Sequence, residues 1–178
     1  MAAPRTPRAT VRSKKELLYV HYRRDPAKSP GSDRLNCQLD AYQQTLYPAE
    51  SNHLIDLSAL PAASVIALII RDAQHRAVGC GAIVLGEEGV GEMKRVFIHP
   101  AHRGQQLGEK LLAALEKEAI NRECHTVRLE TGIHQHAAVA LYTRNGYQAR
   151  SAFAPYQPDP LSIFMEKLLL VDLRSAAL

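Results

Sequence analysis

Apolar positions recur at two different periods along this chain, and the switches between them mark its elements. Leu17-Leu-Tyr-Val-His-Tyr-Arg23 is rich in strand formers and predicts a first strand. A Pro/Ser/Gly loop over Asp25–Ser32 comes next. Leu35, Leu39, Tyr42 and Leu46 then fall at three- and four-residue steps, which predicts a helix over Cys37–Tyr47 stopped by Pro48. Ser51 is placed to N-cap a second helix carrying Leu54, Ile55, Leu57 and Leu60 and ending before Pro61. Ser64–Arg71 and Ala77–Leu85 are β-branched runs on either side of Asp72-Ala-Gln-His-Arg76 and predict a hairpin. A turn at Gly86–Gly89 leads to a strand from Gly91. Leu107, Leu111, Leu112, Leu115 and Ala119 form a helical stripe. His125–Thr131 reads as a strand and Ala137–Arg144 as a short helix closed by Asn145-Gly146. Tyr147–Phe153 and Leu161–Lys167 read as two more strands around the loop Pro155–Pro160. The predicted order is β-α-α-β-β-β-α-β-α-β-β, an α/β chain with no internal repeat.

Composition narrows this picture in three ways. At 178 residues, a single domain over residues 17–178 is expected. No apolar run approaches the ~20 residues that span a bilayer, so no membrane partner is expected. The net charge of +4 is unevenly placed, because residues 1–34 carry a net +6 and the rest a net −2. The basic character therefore belongs to a leader over residues 1–16, rich in Pro and Arg and expected to be disordered. A solvated tail, a transient nucleic-acid contact and a transit peptide all fit that leader; the tail is the first expectation, so a nucleic-acid partner is not expected. Three scattered cysteines, Cys37, Cys80 and Cys124, without C-x-x-C spacing, point to reduced thiols in a cytoplasmic protein.

The chemistry concentrates in Gly91-Glu-Met-Lys-Arg-Val-Phe-Ile-His-Pro-Ala-His-Arg-Gly-Gln-Gln-Leu-Gly108, which runs into the helix of the leucine stripe. A strand leads to a turn holding an arginine and two glycines, and the turn leads to a helix start. The first turn of a helix leaves backbone N–H groups without partners, and the dipole adds about half a positive charge there, a combination that binds phosphate. Glu92 stands on the strand just upstream as a candidate base.

These residues resemble the GNAT superfamily of N-acetyltransferases. Its signature, Arg/Gln-x-x-Gly-x-Gly/Ala after a strand ending in apolar-x-Pro, is matched by Ile98-His99-Pro100 and Arg103-Gly-Gln-Gln-Leu-Gly108. A second element, Asn-x-x-Ala-x-x-Leu-Tyr-x-x-x-Gly-Phe/Tyr, is matched by Gln135 through Tyr147, with Ala138, Leu141, Tyr142 and Gly146 in register. The resemblance covers about residues 35–169 and extends to a bacterial acetyltransferase subgroup through Leu46–His53, Gly79–Ala82, Leu129–Gly132 and Phe164–Lys167. Two positions depart from the pattern. Gln106 stands where the signature has its middle glycine, which lets a pyrophosphate approach the backbone, and Gln135 replaces the usual asparagine.

The resemblance implies a mixed, mostly antiparallel sheet of about six or seven strands flanked by about four helices. It implies acetyl-CoA as acetyl donor, no metal, and direct transfer to a small amine or amino acid through a ternary complex. The alternatives are a protein or peptide acceptor, or an acyl-CoA-binding regulator without catalysis. Donor contacts fall on Val96, Phe97, Ile98, Arg103, Gly104, Gln105, Gln106, Leu107, Gly108, Gln135, Ala138 and Tyr142. Amides over Val96–Ile98 are available to a ligand only if a bulge interrupts strand pairing there. A lysine-like amine with pKa ~10.4 costs ~4.6 kcal/mol to deprotonate at pH 7, so a base is needed. Glu92 is either that base or an exposed carboxylate paired with Lys94 or Arg95; Glu130 is its competitor, or a structural carboxylate. Tyr142 matches the family's general acid, the alternative being a packed helix tyrosine. Acceptor contacts are expected among Tyr42, Tyr47, Glu50, Asn52, Glu130 and Thr131, with His53, His136, Tyr156 and Ser162 as further candidates. Dimers are common in this superfamily, so a homodimer stands among the expectations.

Overall fold

The computed structural model describes residues 19–22 and 57–169. The expected leader, the helix over 37–47, residues 51–56 of the second expected helix, and Tyr42, Tyr47, Glu50, Asn52 and His53 lie outside the described residues; Leu57–Ala59, near that helix's expected end, form a short 3-10 turn.

Seven strands form one sheet in the order β1-β2-β3-β4-β5-β7-β6. They are β1 (Tyr19–Tyr22), β2 (Val65–Arg71), β3 (Ala77–Leu85), β4 (Val90–Ile98), β5 (Thr126–Gly132), β6 (Gln148–Arg150) and β7 (Ser162–Leu168), with α1 (Leu107–Ile120) after β4 and α2 (His136–Arg144) after β5. Every neighbouring pair is antiparallel except β4 and β5, which run parallel. The crossover through α1 makes that pair parallel, because a chain that returns by a helix re-enters the sheet in its original direction. Among the described residues no helix is long and apolar enough to cross a membrane.

The leucine stripe folds as its period requires. Leu111, Leu112, Leu115 and Ala119 of α1 are fully buried against Ile66, Ile70, Ile83, Met93 and Leu129 from the sheet. Gly81 on β3 admits the helix this closely, since a β-carbon there would lie 3.0 Å from Leu115 Cδ1 and 3.2 Å from Leu111 Cδ2. One expectation is corrected. The strand over Tyr147–Phe153 shortens to Gln148–Arg150. Tyr147 instead closes α2, donating its N–H to the Tyr142 carbonyl at 3.1 Å, and its hydroxyl donates to Glu116 Oε1 at 3.0 Å. At the other end, Ser151 onward leaves the sheet edge and carries Phe153 and Tyr156 over the face opposite α1.

The β2–β3 turn is organised by Asp72, which has no exposed surface. Its carboxylate accepts from the N–H groups of Gln74 (3.0 Å) and Arg76 (2.9 Å) and from Arg76 Nε (2.7 Å). Burial acts to raise its pKa, but the hydrogen bonds and charge of Arg76, with the Gln74 amide, outweigh it and hold the carboxyl below its ordinary value. A carboxyl whose folded pKa is depressed stabilises the fold above its unfolded pKa of about 3.9, and that contribution is lost as pH falls through the lower folded value. Asp72→Ala is therefore expected to cost about 2–3 kcal/mol at neutral pH by orphaning these donors. Thermal melts of the two proteins should begin to converge as pH falls below about 4 and draw together further as it passes the lower folded value, where the wild-type carboxyl protonates.

Candidate active site

The site begins where the parallel pair opens. β4 and β5 are paired only from Val90–Thr126 through Glu92–Arg128, whereas β5 stays paired with β7 along its whole length to Gly132. Beyond Glu92 the far half of β4 therefore borders a gap. A bulge sets its direction. The β3–β4 register shifts between Cys80 and Ala82, and Arg95 adopts a left-handed backbone with φ 57. An extra residue of this kind bends a strand and re-aims the residues beyond it. The Cys80 thiol donates to the Arg95 carbonyl at 3.4 Å, at the bulge itself. Past it, His99 donates back to Val78 at 2.8 Å. The two-residue alternation then turns the peptide groups of Ile98 and Val96 toward the gap.

Above the gap sits the start of α1. A cavity of about 340 Å³ is bounded by β4 from Val96 to Ile98, by the turn and first turn of α1 from His102 to Glu109, and by α2 from Gln135 to Arg144. No side chain caps α1, so its first-turn amides carry no capping bond. Gly104 has φ +76, and the space a β-carbon would occupy there is open for 4 Å around. Uncapped amides beside an open glycine turn fit a phosphate. Gln106, at the signature's middle-glycine position, takes the left-handed conformation (φ 57, ψ 25) that glycine would adopt without strain. Gly108 brings the two helices together, since a β-carbon there would lie 2.9 Å from Leu141 Cδ2. Arg103 Nε donates to the Ile98 carbonyl at 3.1 Å, tying the turn to the strand end.

Tyr142 reaches this cavity from α2 with only 7% of its surface exposed. Its ring meets Tyr147 edge-on at 5.6 Å. Burial raises the phenol above its ordinary pKa, so the hydroxyl keeps its proton throughout the neutral range.

A second polar group lies on the face of the sheet away from α1. Strand alternation sends Gly91 and Met93 toward the helix and Glu92 and Lys94 to the other side. There Glu92 Oε1 accepts from the Tyr156 hydroxyl at 2.6 Å and pairs with Lys94 Nζ at 2.6 Å. Lys94 also donates to the Tyr156 hydroxyl, and its ammonium sits 4.9 Å from that ring's centre. Burial, then the hydrogen bond and charge of Glu92, push the Tyr156 phenol up. Glu130 Oε1 accepts from Ser162 Oγ at 2.6 Å on the same face. Below them Glu166 pairs with Arg128 at 2.6 Å and with Arg150.

The expected site residues thus separate into two groups flanking one gap. Of the expected donor contacts, all but the exposed Gln105 line the cavity. Glu92 and Glu130 lie on the opposite face with Tyr156 and Ser162, while Thr131 is buried on the helix side with Val127 and Leu129. Glu92 has the Lys94 partner expected of a paired carboxylate, and a phenol besides. His136 opens α2 and is exposed. Sequence reasoning missed other residues that line the cavity. His102 has a buried Nδ1 with no hydrogen-bond partner among the described residues, and Leu141 packs on Gly108. Glu109 and Arg144 form an ion pair at 2.9 Å. The Arg144 bond holds the Glu109 carboxyl below its ordinary value. Helical spacing was an available signal, because Ala138, Leu141 and Arg144 follow one another at three-residue steps along α2.

The chain is similar to known proteins in sequence and fold. The pattern of the acetyltransferase (GNAT) family matches residues 32–147. An IAA acetyltransferase from Azospirillum brasilense is 47% identical over 133 residues, covering 74% of this chain and 86% of that protein. A solved structure from Klebsiella pneumoniae, assigned as an acyl-CoA N-acyltransferase, is 62% identical with a TM-score of 0.78 and covers 86% of this chain and 99% of that one. Spermidine N-acetyltransferase from Vibrio cholerae, solved with CoA and spermine, shares the fold at 15% identity and TM-score 0.61, over 85% of this chain and 95% of that one. With a helix-start cavity beside a splayed parallel pair and a family match spanning most of its length, this chain belongs to the GNAT family of acetyltransferases.

Proposed function

We propose that this acetyltransferase moves the acetyl group of acetyl-CoA directly onto the nitrogen of a small amine or amino acid, within a ternary complex. One observation carries the reading: the gap between β4 and β5 has a phosphate-fitting cavity with a buried tyrosine on one face, and a carboxylate cluster on the other. Donor and acceptor can then meet from opposite sides of the sheet. The donor supplies an activated acetyl thioester and a thiolate leaving group.

The amides of residues 104–108 and the α1 dipole hold the pyrophosphate, and the peptide groups of Val96 and Ile98 take the pantetheine arm as an added strand would. Those same donors polarise the thioester carbonyl as charge builds on its oxygen. Glu92 takes one proton from the acceptor ammonium and passes it to solvent. The C–N bond forms and the C–S bond breaks. Tyr142 gives its proton to the departing sulfur and regains one from solvent as the nitrogen sheds its second. Overall an ammonium and a thioester become an amide, a thiol and one released proton. The raised pKa of Tyr142 suits this role, because an acid must be protonated when the thiolate appears.

The names of relatives support a small acceptor: one is an IAA acetyltransferase and another a spermidine acetyltransferase. The direct test is acetyl-CoA-dependent thiol release with separate pools of amino acids, polyamines and aminoglycosides. Turnover in one pool supports the reading. Bound acetyl-CoA without turnover in any pool moves the assignment to a macromolecular acceptor or a regulator.

A further inference from the structure

The cluster opposite α1 restricts which acceptor can enter. Glu92 and Lys94 have side chains only 21% and 12% exposed, they pair with each other at 2.6 Å, and both bond the Tyr156 hydroxyl. The ring of Tyr156 is fixed in turn by Phe153 and Phe164, at 5.2 and 5.7 Å between centres. For Glu92 to accept a proton from an ammonium, that ammonium must take up Lys94's place on the carboxylate or share it. The consequence differs by acceptor class. A simple amine or polyamine brings a second cation beside Lys94 and strips a mostly buried ammonium of its counter-charge, which is strongly unfavourable. An acid without an amine leaves Glu92 in the same state. An acceptor bearing both charges exchanges one internal pair for two new ones, and nothing is left unpaired.

We infer that the acceptor is a zwitterion, an amino acid or a close analogue, whose ammonium is taken by Glu92 and whose carboxylate is taken by Lys94. This rests on the proposed acetyl transfer and narrows it, since a polyamine is then excluded. Lys94 acts as a specificity residue, and Tyr156 keeps contact with both side chains while they part. Glu130 on β5, on the same face, accepts from Ser162 at 2.6 Å, whereas Glu92 is the carboxylate that pairs with Lys94 directly. Once Glu92 has taken its proton, the carboxylate–Lys94 pair remains and anchors the neutral amine for attack.

Two readouts test it. Thiol release is measured with each protein amino acid, with its methyl ester, and with putrescine and spermidine. The ester keeps the ammonium, deprotonates more easily and lacks only the carboxylate. The best free amino acid should exceed its ester by at least about 30-fold in kcat/KM, as for removal of one partner of a buried charge pair. In Lys94→Met that ratio should fall to near one, chiefly through KM of the free acid, while calorimetry gives an unchanged Kd for acetyl-CoA. An ester or a polyamine used as well as the free acid overturns the inference and leaves acetyl transfer standing. So does a ratio that survives in Lys94→Met. Bound acetyl-CoA with no turnover of any amine removes the proposed function, and the inference with it.

Discussion

Tyr142→Phe is expected to lower kcat by about a hundredfold, the usual scale for losing a positioned general acid, while the Kd for acetyl-CoA stays within about twofold. The substitution removes one oxygen and keeps the ring that packs edge-on against Tyr147. None of the hydrogen bonds of the described residues involves the Tyr142 hydroxyl, so its loss orphans no donor or acceptor. Stability should then shift by less than about 0.5 kcal/mol, which makes the variant a clean test of chemistry. Single-turnover kinetics with a good acceptor, run beside a thermal melt, separate the two effects. A kcat within twofold of wild type would make Tyr142 a packing residue and leave the thiolate to be protonated by water.

Glu92→Gln should have the second large effect, a fall of about 10²–10³ in kcat/KM at neutral pH. The substitution preserves shape and an acceptor for Tyr156, but removes the charge that would take the ammonium's proton. The loss has a signature that a merely structural role lacks. Without the carboxylate, only amine already deprotonated by solvent can react. The variant's kcat/KM should therefore climb about tenfold per pH unit toward the amine's own pKa. The wild type should change much less over the same range. Profiles from about pH 6 to pH 10 decide the matter. Two profiles of the same shape, with the variant merely lower or less stable, would restrict Glu92 to holding Lys94.

Much of this was legible along the chain because it depends on local period. The hairpin was bounded to within one residue, since the β-branched runs and the Asp72 turn are local signals. The α1 stripe was equally plain, as leucines at three- and four-residue steps have one way to bury together. Nearly every expected donor contact lines the cavity because those residues fall on two local stretches, the continuous strand–turn–helix segment over 96–108 and the helix α2 with its N-cap Gln135. The left-handed backbone at Gln106 was not legible, since glutamine carries no propensity for it and the turn imposes it.

The sequence by itself determined the cavity side of the sheet: the order of elements, the buried face of α1 and the phosphate-fitting start of that helix. These rest on side-chain period and on backbone groups that any helix start leaves unsatisfied, and both are properties of neighbouring residues. Only the tertiary structure decided the opposite face. The parting of β4 from β5 depends on where β7 pairs, and the Glu92–Lys94–Tyr156 cluster joins residues as much as 64 positions apart. Which sheet face a side chain takes is fixed by register, and a bulge such as that at Arg95 reverses it for every later residue of the strand. Contacts of that range come from the closing of the sheet, so no stretch of the chain announces them.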